Sequence, residues 1–284
     1  MLVNKFIRAS SLPTYNDCAR SAACHAKVLT EKGEVSVVEY MGFTLKRDGK
    51  RNRKSAVGTA LHKAAETVLK AKIDKIEIAP SAAREAMLAS LDEEFDEEGK
   101  DEGESRPIKD KDSAIEYLDA MWGVLEPHIQ KLDPVAIEVE THRQLDENTI
   151  ITGHPDSIVR VQGGLGVSDW KTTGATSPPQ YPAQIGEYIN QIEDMGLFEE
   201  EIVEGSTTTV RRLKLKTPTL HHTSYPVADV QEHAHTSALR FVANLDRFLA
   251  TGDPNAFNAN PKSIICSPKY CAAHGTDFCK VGRR

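Results

Sequence analysis

Apolar positions along the chain switch repeatedly between helical and strand periods, and each change marks a different kind of element. Residues 10–29 read as a short helix with Ser10 or Ser11 near its start, and residues 35–47 can hold a hairpin. Ser55 makes an N-cap for a helix to about Lys72, because Val57, Leu61, Ala64, Ala65, Val68 and Leu69 recur at helical spacing. Residues 81–95 and 112–131 read as two further helices, separated by an acidic, glycine-containing loop. From Val135 the period falls to two. Val135–Thr141, Thr149–Val161 and Leu165–Thr172 read as strands, the last two joined by a Gln162-Gly163-Gly164 turn. Ser177-Pro178-Pro179 opens another helix, with Ile185, Tyr188, Ile189 and Ile192 on one face. Thr207–Lys216 alternates again, and Val227–Ala250 is a long amphipathic helix.

This order predicts a layered α/β domain with a central mixed β-sheet flanked by helices. A chain of 284 residues suits a single domain over 1–284. Residues 73–131 read as a helical insertion, and 251–284 as an irregular C-terminal tail joined to the 10–29 helix.

Charge refines that picture. A net charge of -7 disfavours a nonspecific nucleic-acid coat. It leaves room for an enzyme that needs carboxylates for metals and only a local basic groove. Lys46, Arg47, Lys50, Arg51, Arg53 and Lys54 form such a basic run, just before the helix that carries His62. Arg211, Arg212, Lys214 and Lys216 offer a second basic edge, equally readable as a solvated strand face. There is no apolar run of membrane-spanning length and no signal-peptide core, so the expectation is a cytoplasmic protein with no membrane partner.

The chemistry-bearing residues concentrate in the middle. Gly153-His154-Pro155-Asp156 is followed, across a hairpin, by Asp169-Trp170-Lys171. Residues two apart on a strand share a face, so Asp169 and Lys171 project together and the neighbouring strand can bring Asp156 beside them. Two carboxylates suit a hard divalent cation such as Mg²⁺ or Mn²⁺, and an ammonium beside them can offset charge developing on a phosphate. His62 and Glu66, four apart on a helix, share a face. His62 can add an imidazole to the metal, and Glu66 can orient His62 or a water. Gln184 and Tyr188 repeat the four-residue spacing. Each of these helical pairs alone is better explained by an ordinary amphipathic helix, His62 and Glu66 exposed to solvent, Gln184 at the surface and Tyr188 half-buried in the core.

Taken in order, Ser11-Leu12-Pro13-Thr14-Tyr15-Asn16-Asp17-Cys18, Gly58…His62…Glu66, Gly153…Asp156, Asp169-Trp170-Lys171, Gln184…Tyr188 and a terminal group of cysteines resemble one family. This is the RecB-like branch of the PD-(D/E)XK nucleases, and within it the iron–sulfur exonucleases that include CRISPR-associated and phage-encoded enzymes. The resemblance implies a restriction-endonuclease-like core. It also implies a Mg²⁺- or Mn²⁺-dependent exonuclease acting on DNA with little sequence specificity, in recombination, repair or replication. A single-strand annealing or binding protein is a candidate partner, and a noncatalytic DNA-binding scaffold on the same fold is the alternative. His62, Asp156, Asp169 and the backbone carbonyl of Trp170 become metal ligands. Lys171 becomes the catalytic lysine, supported by Gln184, Tyr188 and Glu66. The basic run from Lys46 to Lys54 becomes the phosphate-binding element.

The same resemblance assigns Cys18, Cys266, Cys271 and Cys279 to a [4Fe-4S] cluster, with structural Zn²⁺ as the alternative. Such a staple would tie the first helix to a tail with little apolar surface of its own. Four residues separate Cys266 from Cys271 and seven separate Cys271 from Cys279, wider than the family's usual spacing. His274 or His25 can substitute in a zinc site. Cys24 reads as a small buried hydrophobe.

Overall fold

The structure is a computed structural model that describes residues 4–46, 53–96, 108–173, 181–211, 217–268 and 270–283. Strand β1 (Lys5–Arg8) leads into helices α1 (Leu12–Asp17) and α2 (Ala19–Ala23), which part at Cys18, where the backbone is extended. Next come β2 (Lys27–Thr30), β3 (Gly33–Ser36) and the single turn α3 (Val37–Tyr40). The hairpin expected over 35–47 therefore lies earlier, closed at Gly33, whose φ of 107° suits a glycine.

Three long helices follow: α4 (Arg53–Asp74), α5 (Ala82–Glu94) and α6 (Lys111–Ile129). Helix α4 already includes Arg53, so Ser55 is an internal residue and not a cap. Asp110 caps α6 through a reciprocal box with Ser113. These helices share one core with Trp170 and Val210 of the sheet they cover.

The β-rich middle contains β4 (Asp133–Ile137), β5 (Thr141–Asp146), β6 (Thr149–Gly153), β7 (Ser157–Val161) and β8 (Gly164–Thr173). Then come α7 (Pro182–Asp194), β9 (Ile202–Arg211), β10 (Thr219–Tyr225) and α8 (Val227–Thr251). The proline-rich start expected at Ser177-Pro178-Pro179 lies outside the described residues.

The strands form two mixed sheets where the sequence suggested one. The first has the order β3-β2-β1-β6-β5 and the second β10-β9-β8-β7-β4. Each contains one parallel pair, β1 with β6 and β8 with β9. The stretches 135–141 and 149–161, read as continuous strands, each break and change sheet. Chain β4–β5 crosses at residues 138–140, and β6–β7 crosses at 154–156. The breaks lie side by side, because Ile137 pairs with Ser157 on one side and Thr141 pairs with Gly153 on the other. A bent hairpin thus joins the sheets, and its bend frees two short backbone segments from the ladder. Helix α7 shares a core with β8 of the second sheet and also contacts β5 and β6 of the first.

The C-terminal tail is anchored by apolar packing, contrary to the expectation that it has little apolar surface. Phe257 and Phe278 are buried and meet Phe248 in tilted edge-on contacts with centroids 5.3–6.3 Å apart. Arg20 of α2 donates to the carbonyls of Pro254 and Phe257. Among the described residues no helix is long and apolar enough to cross a membrane.

Candidate functional site

The bend between the sheets gathers the polar residues singled out above. Asp156 lies on the second crossing, just before β7, and is buried. One carboxylate oxygen accepts the backbone N–H of Trp170, and the other lies 3.3 Å from His62 Nδ1. Asp169, on β8, is also buried. Its Oδ1 accepts Gln184 Nε2 at 3.0 Å, and its Oδ2 pairs with the Lys171 ammonium. The same Gln184 nitrogen lies 2.7 Å from the Tyr188 hydroxyl, so the four-residue spacing on α7 holds Asp169 from behind. Lys171 also sits 5.3 Å from the centre of the Tyr181 ring.

Packing explains why the chain must cross here. A Cβ on Gly153 would fall 2.2 Å from Gln191 Oε1 and 2.8 Å from both Thr141 Oγ1 and Tyr188 Cδ1. No side chain fits, so glycine lets α7 press on the crossing. Gln191 then bonds the Thr141 hydroxyl at 2.6 Å and the Ile151 carbonyl at 3.2 Å, which ties α7 to both strands of the hairpin.

Burying so many charges shifts their protonation. Burial disfavours the Asp169 carboxylate, the nearby Asp156 charge adds to this, and its pKa rises to about 6 despite Lys171. Burial also opposes ionisation of Asp156, yet His62, Lys171 and the Trp170 amide hold it below the ordinary carboxylate range. For His62, burial pulls the imidazolium down, but Asp156 and Asp169 outweigh it and push the pKa up to about 9. Burial likewise works against the Lys171 ammonium, and the two aspartates raise it overall. Negative charge at the bend is thus balanced by the His62 imidazolium and the Lys171 ammonium.

A further carboxylate joins this group. Glu138, on the first crossing, places one oxygen in a set with His62 and Asp156 whose donor atoms all lie within 4.8 Å of one another. Among the described residues this is the one such set of three metal donors. Burial and the Asp156 charge raise its pKa to about 7. The sequence reading put Glu138 inside a strand. The signal available was its place at the end of an apolar run, opposite the Gly153–Asp156 motif.

The donors fit a divalent cation. Asp169 Oδ2 is buried with the Lys171 ammonium as its one partner among the described residues, while His62, Glu138 and Asp156 offer nitrogen and oxygen to one point. Glu66 is turned elsewhere and pairs with Lys63 at 2.8 Å. It does not orient His62, whose ring nitrogen faces Asp156.

Of the basic run, Arg47, Lys50 and Arg51 lie outside the described residues, as do Arg212, Lys214 and Lys216. Lys46 is exposed. Arg53 is committed to the fold: its guanidinium donates to the carbonyls of Asp96, Ile108 and Lys109 and lies over the Phe95 ring. Those donors are used in joining α4 to α5 and α6, which removes Arg53 from the phosphate-binding set.

The cysteines behave differently from the expected ligands. All five are free thiols, and all but Cys266 are buried. The Cys24 thiol bonds Cys271, which with burial pushes Cys24 up. Cys271 falls to about 5, held down by Cys24 against burial, with help from Ser21 and the amides of Ala273 and His274. Neither an iron–sulfur cluster nor a zinc site on Cys18, Cys266, Cys271 and Cys279 is supported by this arrangement. The residue read as left over, Cys24, instead partners Cys271, and aromatic packing holds the tail. Membership of the iron–sulfur branch is likewise without support.

Comparison with known proteins agrees with the geometry at the coarser level. No curated protein matches the sequence. Among solved structures, one from Eubacterium rectale, provisionally named an exonuclease, overlays with a TM-score of 0.52 at 8% identity, covering 92% of this chain and 86% of that one. An alkaline exonuclease from Laribacter hongkongensis is 14% identical over 70% of this chain and 96% of its own, with a TM-score of only 0.29. The first overlay speaks for the fold alone, and the second is too loose to carry an argument. The match of the superfamily pattern to residues 9–275 spans nearly the whole chain and takes in every polar residue gathered at the bend, so the chain belongs to the PD-(D/E)XK nuclease superfamily.

Proposed function

We propose that this chain is a divalent-metal-dependent deoxyribonuclease that degrades DNA from its ends with little sequence specificity. The observation that carries the reading is the convergence of His62, Asp156, Asp169 and Lys171 at one bend, with Gln184 and Tyr188 behind them. The Eubacterium rectale neighbour's name supports an exonuclease within the superfamily. When bound, a Mg²⁺ or Mn²⁺ ion supplies Lewis-acid polarisation and charge neutralisation at a phosphoryl oxygen. Asp156, Asp169, His62 and the Trp170 carbonyl are the residues that would hold it. Asp169 is kept in place by Gln184, and Asp156 by the Trp170 amide. Lys171, charged at neutral pH, stands beside Asp169, where its ammonium can offset negative charge growing on the scissile phosphate and orient a water for attack. DNA recombination, repair or replication is the setting such an activity serves.

The test uses end-labelled single- and double-stranded DNA incubated with Mn²⁺, Mg²⁺ or EDTA, with Lys171→Ala beside wild type. Degradation that needs the metal and is lost in a folded Lys171→Ala protein is the expected result. A folded wild type that binds DNA but cuts nothing with either metal would replace this reading with that of a DNA-binding scaffold.

A further inference from the structure

We infer that Glu138 is itself a ligand of the divalent cation, completing with His62 and Asp156 a three-donor set that the Asp-x-Lys motif does not contain. The inference rests on the proposed metal-dependent reading and deepens it.

The argument begins with the strand register. Ile137 pairs with Ser157 in an antiparallel ladder, so the next residues in line are Glu138 and Asp156. Both have just left the second sheet to cross to the first. The Glu138 amide reaches the Asp156 carbonyl at 3.4 Å, which keeps the two backbones side by side through the crossing. The crossing thus brings two carboxylates together at a point that α4 covers with His62.

Backbone conformation gives an independent reason. Glu138 has φ of 47°, in the left-handed region that a residue with a Cβ enters only at a cost. Glycine or asparagine would relieve that cost. Glu138 keeps one side open to solvent while the other faces the buried carboxylates, and its side chain makes no hydrogen bond or ion pair among the described residues. Local packing therefore gives no reason for glutamate here. Its backbone turn, however, aims a carboxylate oxygen to within 4.8 Å of both the His62 nitrogen and the Asp156 oxygen. Donors around one octahedral Mg²⁺ or Mn²⁺ stand roughly 3–4 Å apart, so small rotamer adjustments close the set.

Asp169 has less freedom to serve the same ion. Gln184 holds one of its oxygens and Lys171 faces the other. Asp169 meets the cation while also anchoring Lys171, and Glu138 adds a carboxylate that carries no such second duty. Exposure of Glu138 leaves the cation a route in from solvent.

Mn²⁺ binding, measured by calorimetry and by electron paramagnetic resonance without DNA, tests this on wild type, Glu138→Gln, Glu138→Asp and Glu138→Gly. Glutamine keeps the shape and removes the charge, and its affinity is expected to fall at least tenfold, with aspartate recovering part of the loss. Glycine is expected to raise the Tm by relieving the turn, yet bind Mn²⁺ as weakly as glutamine. Affinity of Glu138→Gln within twofold of wild type, while Asp156→Asn loses the ion, would overturn the inference and leave the nuclease reading intact. A tenfold loss in a protein whose wild type cuts no DNA would keep the ligand and remove the nuclease. Wild type that binds no Mn²⁺ would sink both.

Discussion

Two regions of this molecule bring metal-donor side chains together, and they do so to opposite effect. At the bend between the sheets, Glu138, Asp156 and Asp169 crowd carboxylates that repel one another, with His62 and Lys171 as partial relief. At the junction of α2 and the tail, Cys24, Cys271 and Cys279 lie in a core with phenylalanines, and Cys24 and Cys271 satisfy each other. The first region leaves carboxylates in one another's field, a repulsion that a cation would relieve. The second is already held by ring packing and by hydrogen bonds from Arg20. Convergence of ligand types is therefore not enough; what distinguishes a metal centre is that its donors lack better partners.

The sharpest separation of the two regions is by activity. Lys171→Ala is expected to lower cleavage by about 10³-fold, the scale seen when one preorganised charge-stabilising donor is removed. Serine at both Cys266 and Cys279 should leave the rate within about twofold. A metallated cysteine site would reverse that contrast, because loss of two ligands would release the tail. Iron and zinc analysis of anaerobically purified protein reads the same question directly.

Stability gives the converse contrast. Phe278→Ala removes a fully buried ring from contact with Phe43, Phe248 and Phe257, and is expected to cost about 3–5 kcal/mol in denaturant unfolding. The double serine variant should cost far less. If the serines cost more than the phenylalanine, the packing account of the tail is wrong.

Much of the first region was legible in the sequence, and its limits have physical causes. Asp156, Asp169, Lys171, Gln184 and Tyr188 follow from two short-range periodicities, the strand's two and the helix's four, and both survive folding. Glu138 was missed because its strand breaks at the point where the chain changes sheet. A register read as continuous from Val135 to Thr141 hides a residue that has left the ladder. Division into two sheets was missed for the same reason. Alternation marks a strand but not which neighbour it pairs with. Glu66 and Arg53 were misread because helical spacing gives a face, while the partner on that face is tertiary: Lys63 for one, three backbone carbonyls for the other. The tail misled because its phenylalanines are scattered without period, so no local pattern announced the ring cluster.

Gly153→Ala probes the scaffold that makes the first region possible. Its Cβ would collide with Gln191, Thr141 and Tyr188, so overpacking should cost roughly 1–3 kcal/mol. Mn²⁺ affinity should weaken as well, since Tyr188 and the crossing would move apart. An alanine variant of unchanged stability and metal binding would mean that α7 does not hold the crossing in place.

The smallest expected effect is also the one that most directly separates crowded charge from satisfied thiols. In the metal-free protein, Asp169 and Glu138 have pKa values near 6 and 7, above the ordinary carboxylate range, and His62 near 9, above its ordinary value. Between about pH 4 and pH 9 the folded state thus binds more protons than the unfolded one, and the slope of stability with pH is negative. The stabilisation these groups give is present at low pH and lost as pH rises through their folded values. Asp156, held low, works the other way only at the acid end. A divalent cation replaces those protons, so it binds better and stabilises more as they leave. Thermal melts should show a larger Tm rise with Mn²⁺ at about pH 8 than at about pH 5.5, by a few degrees. In EDTA the Tm should fall over the same interval. Because the cysteine end contributes nothing that Mn²⁺ would replace, the double serine variant should show the same difference. An Mn²⁺ effect that is independent of pH would mean that the protons do not sit where the cation binds, and that the crowding at the bend is relieved some other way.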